Sequence, residues 1–323
     1  MAREDSRLAV VDLGSNSFRL VVFEVRAERP GTLGGWWKRT DEIYEPVRVG
    51  AGVDTTGALG EEGMARASAA IEVFAHFCEA AGLSASEVDV VATSAIREAT
   101  NSEEFLGRVR EASGLAIRVL SREEEARYGY LAAVNSTDLA DGAVLDVGGG
   151  SLQLVRVRDR LAGELDSWRL GAVRMTERFL PDDGPAGGKQ LTRLRDHVAR
   201  KIDRADWLAD AERLVGIGGT VRNLAAALQR ALETPEFGVQ GYVIERDALD
   251  DFVTRLARMP VADRRRVPGI KPVRGDIVLA GAVVVQQVLA SGGFTGIETT
   301  EAGLREGVFF GRALAGRDEP LFD

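Results

Sequence analysis

The chain has 323 residues, 45% of them apolar and 28% charged, which suits two folded domains and excludes an intrinsically disordered protein. A net charge of −9 argues against general affinity for nucleic acid, and no apolar stretch is long and uncharged enough to cross a membrane. One cysteine excludes an internal disulfide framework, two histidines leave little for a zinc site, and MAREDSRLAVV has neither signal nor transit pattern, which predicts a cytoplasmic protein.

In chain order, LAVVDLG and FRLVVFEV read as strands around the polar turn SNS, with EPVRVG a third strand after a Gly- and Trp-containing connection. EEGMARASAAIEVFAHFCEAAG has helical spacing and buries Cys78 among Phe74, Phe77 and Ala81. VDVVATSAIREATN is a short strand running into a loop. NSEEFLGRVREASG is a helix between Asn101 and Gly114, and AIRVL is a buried strand. After the helix opened by LSREEEARYGYL, AVLDVGGGSLQLVRV gives two strands and a turn, and ELDSWRL a third strand. KQLTRLRDHVARKIDRADWLADA reads as one long amphipathic helix, and RLVGIGGTVRNLAAAL as strand, glycine pair and helix. RDALDDFVTRLARM, a basic loop, an apolar helix from Asp276 and a final helix over EAGLREGVFFGRAL follow. Alternating strands and helices predict α/β architecture, with halves 1–130 and 131–323 joined directly near residues 128–134.

One repeat stands out. DLGSNSFRLV (12–21) and DVGGGSLQLV (146–155) align as D-apolar-G-x-x-S-x-x-L-V, pairing Asp12 with Asp146, Gly14 with Gly148 and Ser17 with Ser151. A hairpin needs only two turn residues, so the third glycine of 148–150 asks for another reason. Backbone N–H groups of such a turn can converge on an anion, and glycine lets phosphate oxygens approach closely. Ser15, Asn16 and Ser17 in the first copy, and Gly148, Gly149, Gly150 and Ser151 in the second, are therefore candidate phosphate contacts. Asp12 and Asp146, each closing a strand before its turn, suit a hydrated Mg²⁺.

Four further features are ambiguous by themselves. Gly218, Gly219 and Thr220 lie where a strand meets a helix, fitting either an anion at the helix start or close packing. Arg97 is placed to grip phosphate bidentately or to join a surface ion pair. Ser121 and Glu124 have capping-box spacing, and Glu125 projects about a hundred degrees further round the helix. There it can take a proton from water, or serve with Glu123 and Glu124 at the positive helix end. Arg255, Arg258, Arg264, Arg265, Arg266, Lys271 and Arg274 face one acid, Asp263, within 255–274. That run is a solvated loop or a capture strip for a polyanion, with Arg264, Arg265, Arg266 and Lys271 at its centre.

Taken together, VVDLGSNSFRLVV, ATSAIREATN, SREEEARYGYLA, LDVGGGSLQLV, GIGGT and GLREGV resemble the exopolyphosphatase and guanosine pentaphosphate phosphohydrolase family, from about residue 8 to residue 310. The resemblance implies two duplicated actin-like (ribonuclease H-like) domains with an active-site cleft between them, the last helix, about 301–314, packing back toward the first domain. It implies Glu125 as general base and Asp146 as the residue that binds Mg²⁺ and positions water. The SNS, GGGS and GGT turns and Arg97 would hold phosphates. The implied reaction is removal of terminal orthophosphate from inorganic polyphosphate, or the matching hydrolysis of guanosine pentaphosphate. Nucleic acid and membranes are not expected partners, and a homodimer is compatible with the class. A non-catalytic polyphosphate or alarmone sensor and a kinase of the same superfamily are the competing readings. Two departures bear on this. GGGSLQ places Gln153 where many relatives carry a metal-side glutamate, which predicts a high Mg²⁺ requirement or a preference for Mn²⁺. The sequence ends at Asp323, before the helical C-terminal extension that long relatives carry, which is expected to alter processivity and chain-length preference.

Overall fold

Apolar runs buried on both faces carry the sheets of this protein, whose computed structural model describes residues 6–26, 36–232 and 238–313. Two units are distinguished, Met1–Ser121 and Arg122–Asp323. Among the described residues no helix is long and apolar enough to cross a membrane.

The first unit contains β1 (Ser6–Leu13), β2 (Phe18–Arg26), β3 (Trp36–Glu45), α1 (Val53–Thr56), α2 (Glu61–Ala80), β4 (Val88–Ala92), α3 (Ser94–Glu98), α4 (Ser102–Ser113) and β5 (Ile117–Val119). Its sheet has the order β3-β2-β1-β4-β5. The β1–β2 and β2–β3 pairs are antiparallel, and β1–β4 and β4–β5 are parallel. The third strand is the Trp-containing stretch itself, not EPVRVG. Pro46 has no N–H to give a ladder, so the strand stops at Glu45 and Val47 and Val49 turn into the core. α4 begins after Asn101 and ends on Gly114 at φ 68°. The Asn101 side chain, however, bonds both backbone groups of Leu59 instead of capping the helix. Cys78 lies inside the α2 core, where burial raises its thiol pKa to about 11.

The second unit contains α5 (Arg122–Val134), β6 (Gly142–Val147), β7 (Leu152–Arg158), β8 (Leu161–Trp168), α6 (Ala172–Phe179), α7 (Gly188–Ile202), β9 (Leu214–Ile217), α8 (Gly218–Ala231), β10 (Val243–Glu245), α9 (Arg246–Ala257), α10 (Val261–Arg264), α11 (Val278–Gly292), β11 (Gly296–Thr299) and α12 (Leu304–Ala313). The sheet order is β10-β11-β9-β6-β7-β8. β6, β7 and β8 form an antiparallel meander, and β6–β9 and β9–β11 are parallel. This repeats the first sheet with one added edge strand, so the sequence repeat is also a repeat of topology. α7 is shorter than its amphipathic pattern suggests. It stops at Ile202 because a separate turn, Asp206–Asp210, buries Trp207 and Leu208, and Arg156 of β7 holds the Trp207 and Asp210 carbonyls at 3.0 and 2.9 Å.

The division at Ser121 leaves all of α5 in the second unit, ahead of the junction expected at 130/131. Ala126, Ala133 and Val134 of α5 share a core with Val144, Val155, Val215 and Ile217 of the sheet, which fixes that allegiance. α12 lies along α5, so the last helix packs on the helix that spans the junction expected at 130/131. The two helices approach closely at Gly307, where a Cβ would run into the Tyr128 backbone. Gly307→Ala is therefore expected to destabilise the second unit by about 1–3 kcal/mol, seen as a lower thermal midpoint. An unchanged midpoint would show that α12 shifts without cost.

Candidate active site

The glycine turn after β6 gets its orientation from α6. Gly148 O accepts from Ala172 N at 2.9 Å, and Gly149 O accepts from Val173 N at 2.9 Å and Arg174 N at 3.3 Å. Gly150 O accepts from the buried Arg174 Nε at 3.1 Å. All three carbonyls thus face the start of α6. In a trans peptide the next N–H points opposite to the carbonyl, and no peptide here is cis. The N–H groups of Gly149, Gly150 and Ser151 are consequently turned away from α6 together, the concavity that suits an anion. Gly171 makes this approach feasible, because a Cβ there would collide with the backbone of Gly149 and Gly150.

The first unit reaches the same result with other residues. Ser15 O accepts from Gly50 N at 2.9 Å and Asn16 O from Arg48 N at 3.0 Å, so the N–H groups of Asn16 and Ser17 point the other way. A Cβ on Gly50 would lie 2.7 Å from the Ser15 Cβ, so again the approaching segment needs the glycine. The buried Ser15 hydroxyl is 3.1 Å from Ser94 Oγ, at the start of α3. Arg97 sits on α3, not in a loop, and its Nη1 donates to Leu120 O at 2.7 Å.

The third turn belongs directly beside Asp146. α8 starts at Gly218 with no side-chain cap, so its first N–H groups have no partner within the helix. Gly218 has φ 83°, and a Cβ would lie 2.6 Å from Asp146 Oδ1. The strand-end carboxylate and the helix start are therefore neighbours. Thr220 does not offer its hydroxyl proton to a ligand, because Oγ1 donates to Val147 O at 2.8 Å. The guanidinium of Arg274 occupies the space where Gly219 would carry a side chain. Asn223 braces this arrangement, donating to Gly219 O at 2.8 Å and accepting from Lys271 N at 2.8 Å. A guanidinium and a helix N-terminus set side by side share a preference for negative charge.

Glu125 is buried on α5 while Glu123 is exposed, as the helical offset predicts. Its Oε1 accepts from Ser151 Oγ at 3.1 Å. Ser151 Oγ in turn accepts from Gln153 Nε2 at 2.9 Å, so the Ser151 side chain is engaged on both sides. Gln153 stands opposite Asp146 in the β6–β7 ladder, as Arg19 stands opposite Asp12 in β1–β2. Arg19 is spoken for within its own sheet, bonding Glu42 at 3.0 Å and lying over the Tyr44 ring.

The basic run divides. Arg264 is buried, with Nε donating to Leu256 O at 3.0 Å, and burial lowers its pKa. It ties down the carbonyl end of α9 and cannot meet a polyanion in solvent. Arg265, Arg266 and Lys271 are exposed. Sequence reasoning missed Gly171, Arg174 and Asn223, and counted Arg274 only as part of the run. The glycine before a helix in RLGAVRM was the one available signal. Gly218→Ala should cost about 1–2 kcal/mol for its left-handed backbone alone, read by urea titration, with Asp146 displaced as well. A fully stable variant would mean the turn is looser than its φ implies.

The sequence profile of the Ppx/GppA phosphatase family matches residues 40–315. The chain is 30% identical over 308 residues to Exopolyphosphatase 1 of Mycobacterium tuberculosis (strain ATCC 25618 / H37Rv), covering 94% of this chain and 87% of that protein. It is 29% identical over 293 residues to Exopolyphosphatase 2 of the same strain, covering 88% and 90%. The solved Ppx/GppA family member of Aquifex aeolicus superposes with TM-score 0.77 at 27% identity, covering 98% and 100%. An exopolyphosphatase from Cytophaga hutchinsonii, at 19% identity, shares the fold with TM-score 0.83 over 95% and 97% of the two chains. Two mixed sheets with flanking helices, the duplicated turns and a profile match across most of its length agree: this chain belongs to the Ppx/GppA phosphatase family.

Proposed function

We propose that the protein is an exopolyphosphatase that releases terminal orthophosphate from inorganic polyphosphate by attack of water. The observation that carries this reading is Glu125, a buried carboxylate bonded to the serine that closes the glycine turn. A buried carboxylate is costly unless hydrogen-bonded, and one held beside an anion-binding turn is suited to accept a proton from water. The outward N–H groups of Gly149, Gly150 and Ser151, with those of Gly218 and Gly219, would hold phosphate oxygens, and Arg274 would add a bidentate contact. In the first unit Asn16, Ser17 and Arg97 would do the same.

The donor chemistry fits Mg²⁺. Asp146 and Asp12 are partly exposed carboxylates, each at the end of its strand, and Mg²⁺ takes one or two such oxygens and fills its other positions with water and phosphate. When bound, the ion would offset negative charge on the phosphate chain. Mn²⁺ is compatible with the same hard oxygen ligands.

The base is tested by substitution. Glu125→Gln should lower turnover about 10²–10⁴-fold with substrate affinity largely kept, whereas Glu124→Gln should cost stability of at most about 1 kcal/mol. Equal turnover in Glu125→Gln and the parent would remove the assignment, and a large loss only in Glu124→Gln would move it to the neighbouring acid.

The exposed cations test the substrate. Neutralising Arg265, Arg266 and Lys271 together should weaken long polyphosphate more than short, at little cost to turnover at saturation. The difference should fade as salt rises, since screening acts beyond about 8–10 Å at physiological ionic strength. Phosphate release from long polyphosphate, short polyphosphate, guanosine pentaphosphate and ATP is compared in parallel. Faster release from guanosine pentaphosphate would reassign the substrate, and no release from any would favour a sensor.

A further inference from the structure

Gln153 departs from the metal-side carboxylate that the family resemblance implies, and its surroundings suit it to different work. The side chain is 2% exposed, so its amide cannot be left to solvent. Gln153 follows Ser151 by two positions at the start of β7, which puts both on one face of the strand. Its Nε2 lies 2.9 Å from Ser151 Oγ and 3.5 Å from Ser167 Oγ, Ser167 being its partner on β8. Ser151 has a single hydroxyl proton, and Glu125, when ionised, can only accept. For that proton to go to Glu125, the other neighbour of Ser151 Oγ must be a donor. An amide N–H meets that requirement. A carboxylate at 153 would compete for the same proton and leave the hydroxyl undecided between two acceptors.

We propose that Gln153 is a positioning residue: by donating to Ser151 it fixes the Ser151 hydroxyl as a donor to Glu125, and so holds the Glu125 carboxylate in one orientation. The relay runs one way, from the Gln153 amide through the Ser151 hydroxyl to the Glu125 carboxylate. It rests on the reading of Glu125 as the base. The Gln153 side chain then acts on the geometry of proton transfer, whereas the resemblance implies a role at metal-bound water.

A double-mutant cycle in the full-length protein, with phosphate release measured on long polyphosphate at saturating Mg²⁺, tests it. Gln153→Met keeps the unbranched shape and removes the donor, and Ser151→Ala removes the link. Each should lower kcat by about tenfold, the scale of one hydrogen bond, with KM changed much less. The double variant should lose no more than Ser151→Ala alone, because two residues acting through one bond do not add. Added to Glu125→Gln, Gln153→Met should change nothing. Gln153→Glu, which keeps polarity and length, should lose turnover like Gln153→Met, and serves alone if the methionine variant fails to fold by thermal melting. Losses that multiply in the double variant, with Glu125→Gln still inactive, overturn the relay and leave the base assignment standing. A raised Mg²⁺ requirement in Gln153→Met with unchanged saturated turnover overturns it in favour of a metal-side role. Parent-like turnover in Glu125→Gln overturns the base assignment and the relay together.

Discussion

The carbonyl oxygens of the 148–150 turn are all spent on α6, and the planar trans peptide makes the rest follow. Once the carbonyls are committed to one side, the intervening N–H groups have no choice but the other. The first unit obeys the same constraint with SNS in place of GGG. In both, the indispensable small residue lies in the segment that closes on the turn, Gly171 in one and Gly50 in the other. The turns can therefore differ in side chains while their backbones present the same face. Duplication has preserved a direction of peptide dipoles more faithfully than a string of residues.

Around the second turn, charge is sorted by what each group can afford to face. Asp146 stands at a helix start whose N–H groups are unspent within the helix, and Glu125 is buried where a hydroxyl meets it. Arg274 is set over Gly219 by a loop anchored through Asn223. An acid and a cation thus border the same helix terminus.

Much of this was legible in the residues. The strand ends at Asp12 and Asp146, the helix carrying Glu125 and the turn at 216–220 depend on local alternation and glycine placement, and they fold as their patterns indicate. What was not legible depends on partners distant in sequence. EPVRVG has strand composition, but Pro46 and the burial of Val47 and Val49 end the ladder at Glu45. Arg264 looked like its basic neighbours, and only the Leu256 carbonyl, reached across the turn after α9, shows that it faces inward. Thr220 has the composition of a phosphate ligand, yet Val147 takes its proton. A side chain's chemistry can be read from its type, whereas its commitments are set by whichever backbone group arrives first in space.

The contact between α5 and α12 also orders events in time. Residues 122–134 leave the ribosome long before residues 304–313, yet the helix bearing Glu125 is packed at Gly307 against the later one. During vectorial synthesis the nascent second unit can form its meander and its glycine turn while α5 still lacks its neighbour, since local pairings close sooner than distant ones. The docking of α12 is then expected late in folding, and the helix bearing Glu125 acquires its full packing only when that step is done. A chain cut short before Leu304 would carry all three turns and Glu125 and lack the helix that packs against α5.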